Sequence, residues 1–396
     1  MFRRSLIYLS VCLSGYSVAH GQVINAGEKI FIGAGASVFV PETFKSTSGL
    51  VLNNGLLTVK GDWYNQDANG KVFDSRSTGK VMLFGDNQVI AGTGVTAFPD
   101  LELGGTGVKS LDQSAEVSGS LVLNDKEFVL KSNDLSVTNT GAGAITRTTG
   151  FINTDLGGSL IRATNAAAGY VFPFGSSASA RYSPIVIEPK ATSANSFAAT
   201  LYNNSPTING FDVNNKRPDI QSVFDRYFYL IDQVSGTDQV NIKFYTSASD
   251  GDVKQLVSWG SAATWEKATP STYTDGSFGD NLTRELLFTS VQPIRNTAFT
   301  YAIAADMDIP LGFYNAFSPN GDGSNDLWEI KNIEMFPDNE VRIFNRSGDE
   351  IYKAKGYTSL KAWDGGTFNS GTYYYVVTVN VNGKARNFKG FITMLK

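Results

Sequence analysis

Leu50-Val51-Leu52-Asn53-Asn54-Gly55-Leu56-Leu57-Thr58-Val59 places two short apolar runs on either side of a turn. Runs of three or four residues, closed off by Asn and Gly, read as strands, because a helix needs a longer stretch of 3.6-residue periodicity. The same pulse returns at Val81-Met82-Leu83-Phe84, Leu101-Glu102-Leu103, Leu121-Val122-Leu123 and Phe128-Val129-Leu130, with Gly, Asn, Ser and Asp between. Such close alternation of strand and turn over residues 22–165 suits the stacked rungs of a β-solenoid. A plain β-sandwich is the competing fold, since no fixed period emerges from the spacing.

Working outward, the whole chain reads as all-β. Its 396 residues include 40 Gly, 26 Phe and 17 Tyr, and no amphipathic helical stretch of convincing length stands out. Near Tyr170-Val171-Phe172-Pro173-Phe174-Gly175 aromatics and Pro rise and the strands lengthen, so a second domain, a β-sandwich, is expected over residues 166–304. Its strands include Arg226-Tyr227-Phe228-Tyr229-Leu230-Ile231 and Val240-Asn241-Ile242-Lys243-Phe244-Tyr245, with Trp259 and Trp265 in or beside the core. A linker at 305–312 leads to a third domain at 313–396. There Tyr373, Tyr375, Val377, Val379 and Val381 alternate with Tyr374, Val376, Thr378 and Asn380, and Asn382-Gly383 is a strong type I′ hairpin signal.

At the other end, Arg3 and Arg4 precede the apolar stretch Leu6 to Val18, which is too short to span a bilayer, and Ala19-His20-Gly21 supplies small residues for cleavage before Gln22. Residues 1–21 therefore read as a signal peptide. Leu9-Ser10-Val11-Cys12 resembles a lipidation box, but Val11 is too large and the apolar run continues past Cys12. The only Cys and the only His, Cys12 and His20, fall within that leader. The mature chain is thus expected to lack Cys nucleophiles, Ser-His-Asp triads, His or Cys metal ligands and disulfides. Loss of Arg3 and Arg4 leaves 31 basic against 37 acidic residues, a net charge of −6 that disfavours nucleic acid as a partner.

Phosphate-binding readings fail locally. In Gly105-Thr106-Gly107-Val108-Lys109-Ser110 the Lys does not directly follow the Gly and no helix starts there, and after Gly92-Thr93-Gly94 the pair Phe98-Pro99 stops any helix. Paired carboxylates are the one enzymatic route left by composition. Asp62, Asp86, Asp100, Glu102, Asp112 and Glu116 are candidates, but no spacing selects a pair, and solvated surface acids are the commoner arrangement. The chain is expected not to be an enzyme.

Lys60-Gly61-Asp62-Trp63-Tyr64-Asn65, then Phe84-Gly85-Asp86-Asn87-Gln88-Val89-Ile90-Ala91-Gly92, then Leu101-Glu102-Leu103 resemble the secreted β-repeat regions of gliding bacteria over residues 55–140, implying a surface spacer or adhesive stalk. A denser resemblance lies at the C-terminus. Phe317-Ser318-Pro319-Asn320-Gly321-Asp322-Gly323-Ser324-Asn325-Asp326, Val341-Arg342-Ile343-Phe344-Asn345-Arg346, Gly348, Trp363-Asp364-Gly365, Gly371-Thr372-Tyr373-Tyr374-Tyr375 and Lys389-Gly390-Phe391-Ile392-Thr393 closely resemble the gliding-motility-associated C-terminal domain. Ser347 departs from it, since members usually carry an aromatic there. The resemblance implies an Ig-like β-sandwich sorting domain that addresses the chain to the type IX secretion translocon. It also implies a PorP/SprF-like outer-membrane barrel as partner and a place at the cell surface, reached through the periplasm, in an adhesive, structural or gliding-related role.

Asn320, Gly321, Asp322, Gly323, Asn325, Asp326, Trp363, Asp364, Gly365, Gly371, Tyr373, Lys389 and Gly390 are accordingly the candidate sorting and docking residues. Taken alone, the loop around Asn320, Asp322 and Asp326 has two readings: oxygen ligands for a structural Ca²⁺, or Asx turns bonded to their own backbone. Trp363-Asp364-Gly365 is either a core indole followed by a turn or an exposed contact, with the core favoured. The strand Phe391 to Lys396 is expected at a sheet edge, where β-addition is available to a partner. Surface glycans or other adhesin subunits are further candidate partners, and in a glycan-binding module Trp259, Trp265 and Tyr273 are the residues expected to stack on sugar rings.

Overall fold

The computed structural model describes residues 21–304, 311–381 and 384–396. The expected leader, apart from Gly21, the first six residues of the expected linker and the Asn382-Gly383 turn lie outside the described residues. The chain divides into two compact units, Met1–Ala305 and Asp306–Lys396.

The first unit begins as a β-solenoid of about seven turns. One face is a seven-stranded parallel sheet running from Val23–Ile32 through Phe44–Asn53, Trp63–Asn65, Gln88–Gly92, Lys109–Leu111 and Glu127–Val129 to Phe151–Asn153. A second parallel face runs from Ser37–Val40 to Ile145–Thr146, and a third joins from Thr96–Phe98 onward. Strand-to-strand offsets explain both the solenoid and its irregular sequence. Phe44 pairs with Trp63 and Lys109 with Phe128, each 19 residues on, and Ala115 pairs with Leu135 and Leu101 with Leu121, each 20 on. Other turns are enlarged: Trp63 pairs with Ile90, 27 residues on, and Leu135 with Leu160, 25 on.

Alternation along each rung turns every second side chain inward. Val59, Val81, Leu83, Leu101, Leu103 and Leu121 are all buried, and at the wide early rungs Trp63 stacks on Phe44 at 4.3 Å and lies 5.2 Å from Phe98. The indole N–H of Trp63 donates to Thr96 Oγ1 at 3.0 Å, so the ring is both packed and hydrogen-bonded.

Two buried cations hold the turns. Lys109 is fully buried, and its ammonium donates to the carbonyls of Gly85, Asp86 and Thr106. The stretch that imitates a phosphate loop therefore supplies a structural clamp on main-chain oxygens. Arg162, also fully buried, donates to Val171 O at 2.8 Å and to Gly141 O and Ala142 O at 3.2 and 3.1 Å.

Arg162 lies on Leu160–Thr164, the strand where the architecture changes. Its solenoid neighbour Leu135–Val137 is parallel, whereas its other neighbour Asn195–Tyr202 is antiparallel. The same sheet continues through Phe228–Ser235 and Thr297–Ala304 to Gln255–Trp259 and Trp265–Lys267, and a second antiparallel sheet runs from Tyr170–Phe172 to Ser271–Asp275. Rings from the two sheets meet, Tyr229 with Phe244 at 5.4 Å and Phe288 with Phe299 at 5.3 Å, which makes this part a sandwich.

The second unit is built on a five-stranded sheet, ordered Ala316–Phe317, Lys384–Met394, Gly371–Val381, Glu340–Phe344 and Glu350–Lys355. A two-stranded ribbon of Gly312–Phe313 and Ile330–Lys331 adds to it. Tyr373, Tyr375, Val377 and Val379 are buried whereas Tyr374 and Asn380 are exposed, as the alternation predicts. The C-terminal strand is not a bare edge throughout: Ala316–Phe317 pairs in parallel with Thr393 and Met394.

Candidate functional site

Trp328 and Trp363 organise the second unit. Trp328 is fully buried and Trp363 is 2 % exposed, and the backbone N–H of Trp328 donates to Trp363 O at 2.8 Å. The Tyr357 hydroxyl donates to Trp328 O and accepts the Trp363 N–H at 2.8 Å, and burial raises its pKa. The Trp363 ring packs against Phe317 and Tyr373, each at 5.3 Å. Trp363 is therefore a core residue, and Asp364 makes the turn, accepting the Gly366 N–H at 2.9 Å.

Gly365 is required here, because at φ +77 a Cβ would sit 2.3 Å from Met394 Sδ. Gly390 faces the ring of Tyr375 across the strand pair, and a Cβ there would come within 2.4 Å of the Tyr375 hydroxyl. Gly371 opens the hairpin strand with space around it, and Tyr373 donates its hydroxyl to Asn369 O at 2.6 Å. These motif residues are largely the frame of the fold.

In the Asn320–Asp326 loop both carboxylate oxygens of Asp326 are occupied, one by the Gly321 N–H at 2.6 Å and the other by the Gly323 N–H at 2.8 Å. Those amides hold its carboxyl below the usual range. Asn320 Oδ1 accepts the Asp322 N–H and Asp322 Oδ1 accepts the Ser324 N–H, so the loop is a chain of Asx turns closed on its own backbone. Asn325 contributes its left-handed backbone, φ 56, and its carbonyl accepts the Ser318 N–H. Ser347 lies in the exposed turn that Asn345 organises by accepting the Ser347 and Asp349 N–H groups.

The face of the five-stranded sheet away from the Trp328 and Trp363 core carries partly exposed aromatic side chains. Phe344, Tyr374 and Phe391 stand opposite one another on three adjacent strands and form one row. Tyr374 and Phe391 are 47 % and 52 % exposed. Beside them run Arg342, Val376 and Lys389, with the Arg342 guanidinium 5.1 Å from the Phe344 ring. Of the candidate sorting and docking residues, Lys389 reaches this face. The row itself was missed in the sequence, although aromatics at outward positions of an alternating strand were a usable signal.

In the first unit the glycan candidates part company. Trp265 is fully buried against Trp259 and Phe211 and has no face to offer a sugar, Trp259 is half-buried, and Tyr273 is 46 % exposed beside Arg284 and Lys254. The candidate acids hold structural positions. Asp62 accepts the Val89 N–H, Asp86 the Thr106 hydroxyl and Asp100 the Ser120 N–H. Glu102, Glu116 and Asp112 pair with Lys80, Lys71 and Lys131.

The C-terminal unit, Asp306–Lys396, is thus a compact β-rich unit of its own. Residues 311–394 match the CHU_C Type IX secretion signal domain. This supports a type IX secretion cargo protein with a C-terminal sorting domain, and such a domain implies export to the cell surface or the extracellular space. No curated protein and no solved structure matches the chain.

Proposed function

We propose that the chain is a non-enzymatic cell-surface protein, exported through its C-terminal unit and retained at the outer membrane by a PorP/SprF-like barrel. There the solenoid and sandwich make structural, adhesive or gliding-related contacts. The observation that carries this reading is the type IX signal domain at residues 311–394, whose outward sheet face bears the Phe344, Tyr374 and Phe391 row. The commitment of the candidate carboxylates to ion pairs and backbone amides supports a non-catalytic role for the first unit.

The test is a pull-down of the exported chain, tagged internally, from detergent-solubilised outer membranes, alongside the chain ending at Pro310. Recovery of an outer-membrane barrel with the whole chain alone is expected. Free protein in the medium with no membrane partner overturns retention.

A further inference from the structure

Asn-Gly pairs carry a slow reaction of their own. The glycine nitrogen gives up its proton and attacks the asparagine Cγ; a C–N bond closes a succinimide ring, and the side-chain nitrogen leaves as ammonia. Water then opens the ring to aspartate or to isoaspartate, which lengthens the main chain by one methylene. Glycine permits the attack because it has no Cβ in the way. Among the described residues the pairs are Asn54-Gly55, Asn69-Gly70, Asn209-Gly210 and Asn320-Gly321.

Asn320 and Gly321 are both exposed, so solvent base and water reach them. Yet of the four attacking nitrogens theirs is held at the shortest range. The Gly321 N–H donates to the Asp326 carboxylate at 2.6 Å. The other three donate to neutral oxygens: Gly55 to Asn53 Oδ1 at 3.1 Å, Gly70 to Asp67 O at 3.2 Å and Gly210 to Thr207 O at 3.1 Å. A carboxylate acceptor strengthens the hydrogen bond and also opposes loss of the proton, because the amide anion would face a negative charge. The second Asp326 oxygen takes the Gly323 N–H at 2.8 Å, which fixes the carboxylate from two sides. The Asn320 side chain is tethered as well, its Oδ1 accepting the Asp322 N–H at 3.1 Å and its Nδ2 donating to Asp322 Oδ2 at 3.0 Å.

We propose that Asn320 is a latent deamidation site and that Asp326 holds it unreacted by retaining the Gly321 proton. Deamidation there would add a negative charge to a loop that already contains Asp322 and Asp326. The isoaspartate product would also insert a methylene into a loop closed by the Ser318 N–H to Asn325 O bond at 2.8 Å. The loop lies inside the matched signal domain, so the geometry preserved is that of the sorting unit.

The test is incubation of the exported chain in mildly alkaline buffer, with mass mapping of the peptides that carry each Asn-Gly pair. In the native chain Asn69, whose Gly70 N–H meets only a backbone carbonyl, is expected to react before Asn320. Asp326→Ala is expected to speed reaction at Asn320 by about tenfold, the loss of one hydrogen bond to a charged group, and to leave Asn69 unchanged. Asp322→Ala releases the Ser324 N–H and Asn320 Nδ2 but not the Gly321 N–H, and is expected to change the Asn320 rate far less. It separates retention of the proton from general loosening of the loop. Reaction at Asn320 as fast as at Asn69 in the native chain, no acceleration in Asp326→Ala, or equal acceleration in Asp322→Ala overturns the proposal.

Discussion

Trp363→Ala is expected to unfold the C-terminal unit while leaving the solenoid and sandwich intact. The indole is 2 % exposed, packs against Phe317, Tyr352 and Tyr373, and lies in the strand bridge that joins Trp328 and Trp363. Truncating a buried Trp costs about 3–5 kcal/mol, of the same order as the total stability of a small domain. Tyr357 is affected too, since its hydroxyl spans the Trp328 carbonyl and the Trp363 N–H and its position depends on both. Calorimetry should show the transition of the first unit unchanged and that of the second lost or strongly lowered. Gly365→Ala should act in the same direction through a different cause, the approach of Met394 Sδ. An unshifted second transition in Trp363→Ala contradicts the core assignment.

Lys109→Met is expected to destabilise the first unit by about 2–4 kcal/mol, because it leaves the carbonyls of Gly85, Asp86 and Thr106 without their donor. The effect has a characteristic pH dependence. Burial lowers the Lys109 pKa from 10.5 to about 8, so between those values the unfolded chain binds more protons than the folded one. Stability contributed at this site therefore rises with pH across that window, and below about pH 8 the charged form carries its desolvation cost. The melting-temperature difference between the native chain and Lys109→Met should widen from pH 7.5 to about 10, other titrating groups being common to both. A constant difference would show that Lys109 titrates as it does in the unfolded chain.

Strand and turn were legible in the solenoid because short apolar runs, such as Leu56–Val59 and Lys80–Leu83, lie between turn glycines. The repeat length was not, because turns near 20 residues are interrupted by enlarged ones. The largest insertion places Phe73 beside Trp63 at 5.6 Å, so it adds core rather than a recognisable loop. The buried positions of Lys109 and Arg162 were equally hidden, since their acceptors are backbone carbonyls contributed by other turns and carry no side-chain signature. At the C-terminus the ordered motifs identified the sorting domain, but several of them mark places where an added side chain would strain the backbone or crowd a neighbouring side chain, as at Gly365 and Gly390. The outward row of Phe344, Tyr374 and Phe391 becomes visible only when strand register sets the three rings side by side. Trp265 shows the converse: the sequence leaves it open to the core or to a sugar ring, and Phe211 and Trp259 packed around it place it in the core.

The central claim is that residues 311–394 carry the upstream unit across the outer membrane. It is tested most directly by expressing the whole chain and the chain ending at Pro310 in a bacterium with a type IX secretion system, then probing intact cells and medium with antibody to the sandwich. The whole chain should be found on the surface or in the medium, and the shortened chain should stay behind the outer membrane with its solenoid and sandwich folded. Equal export of the folded, shortened chain would contradict the account.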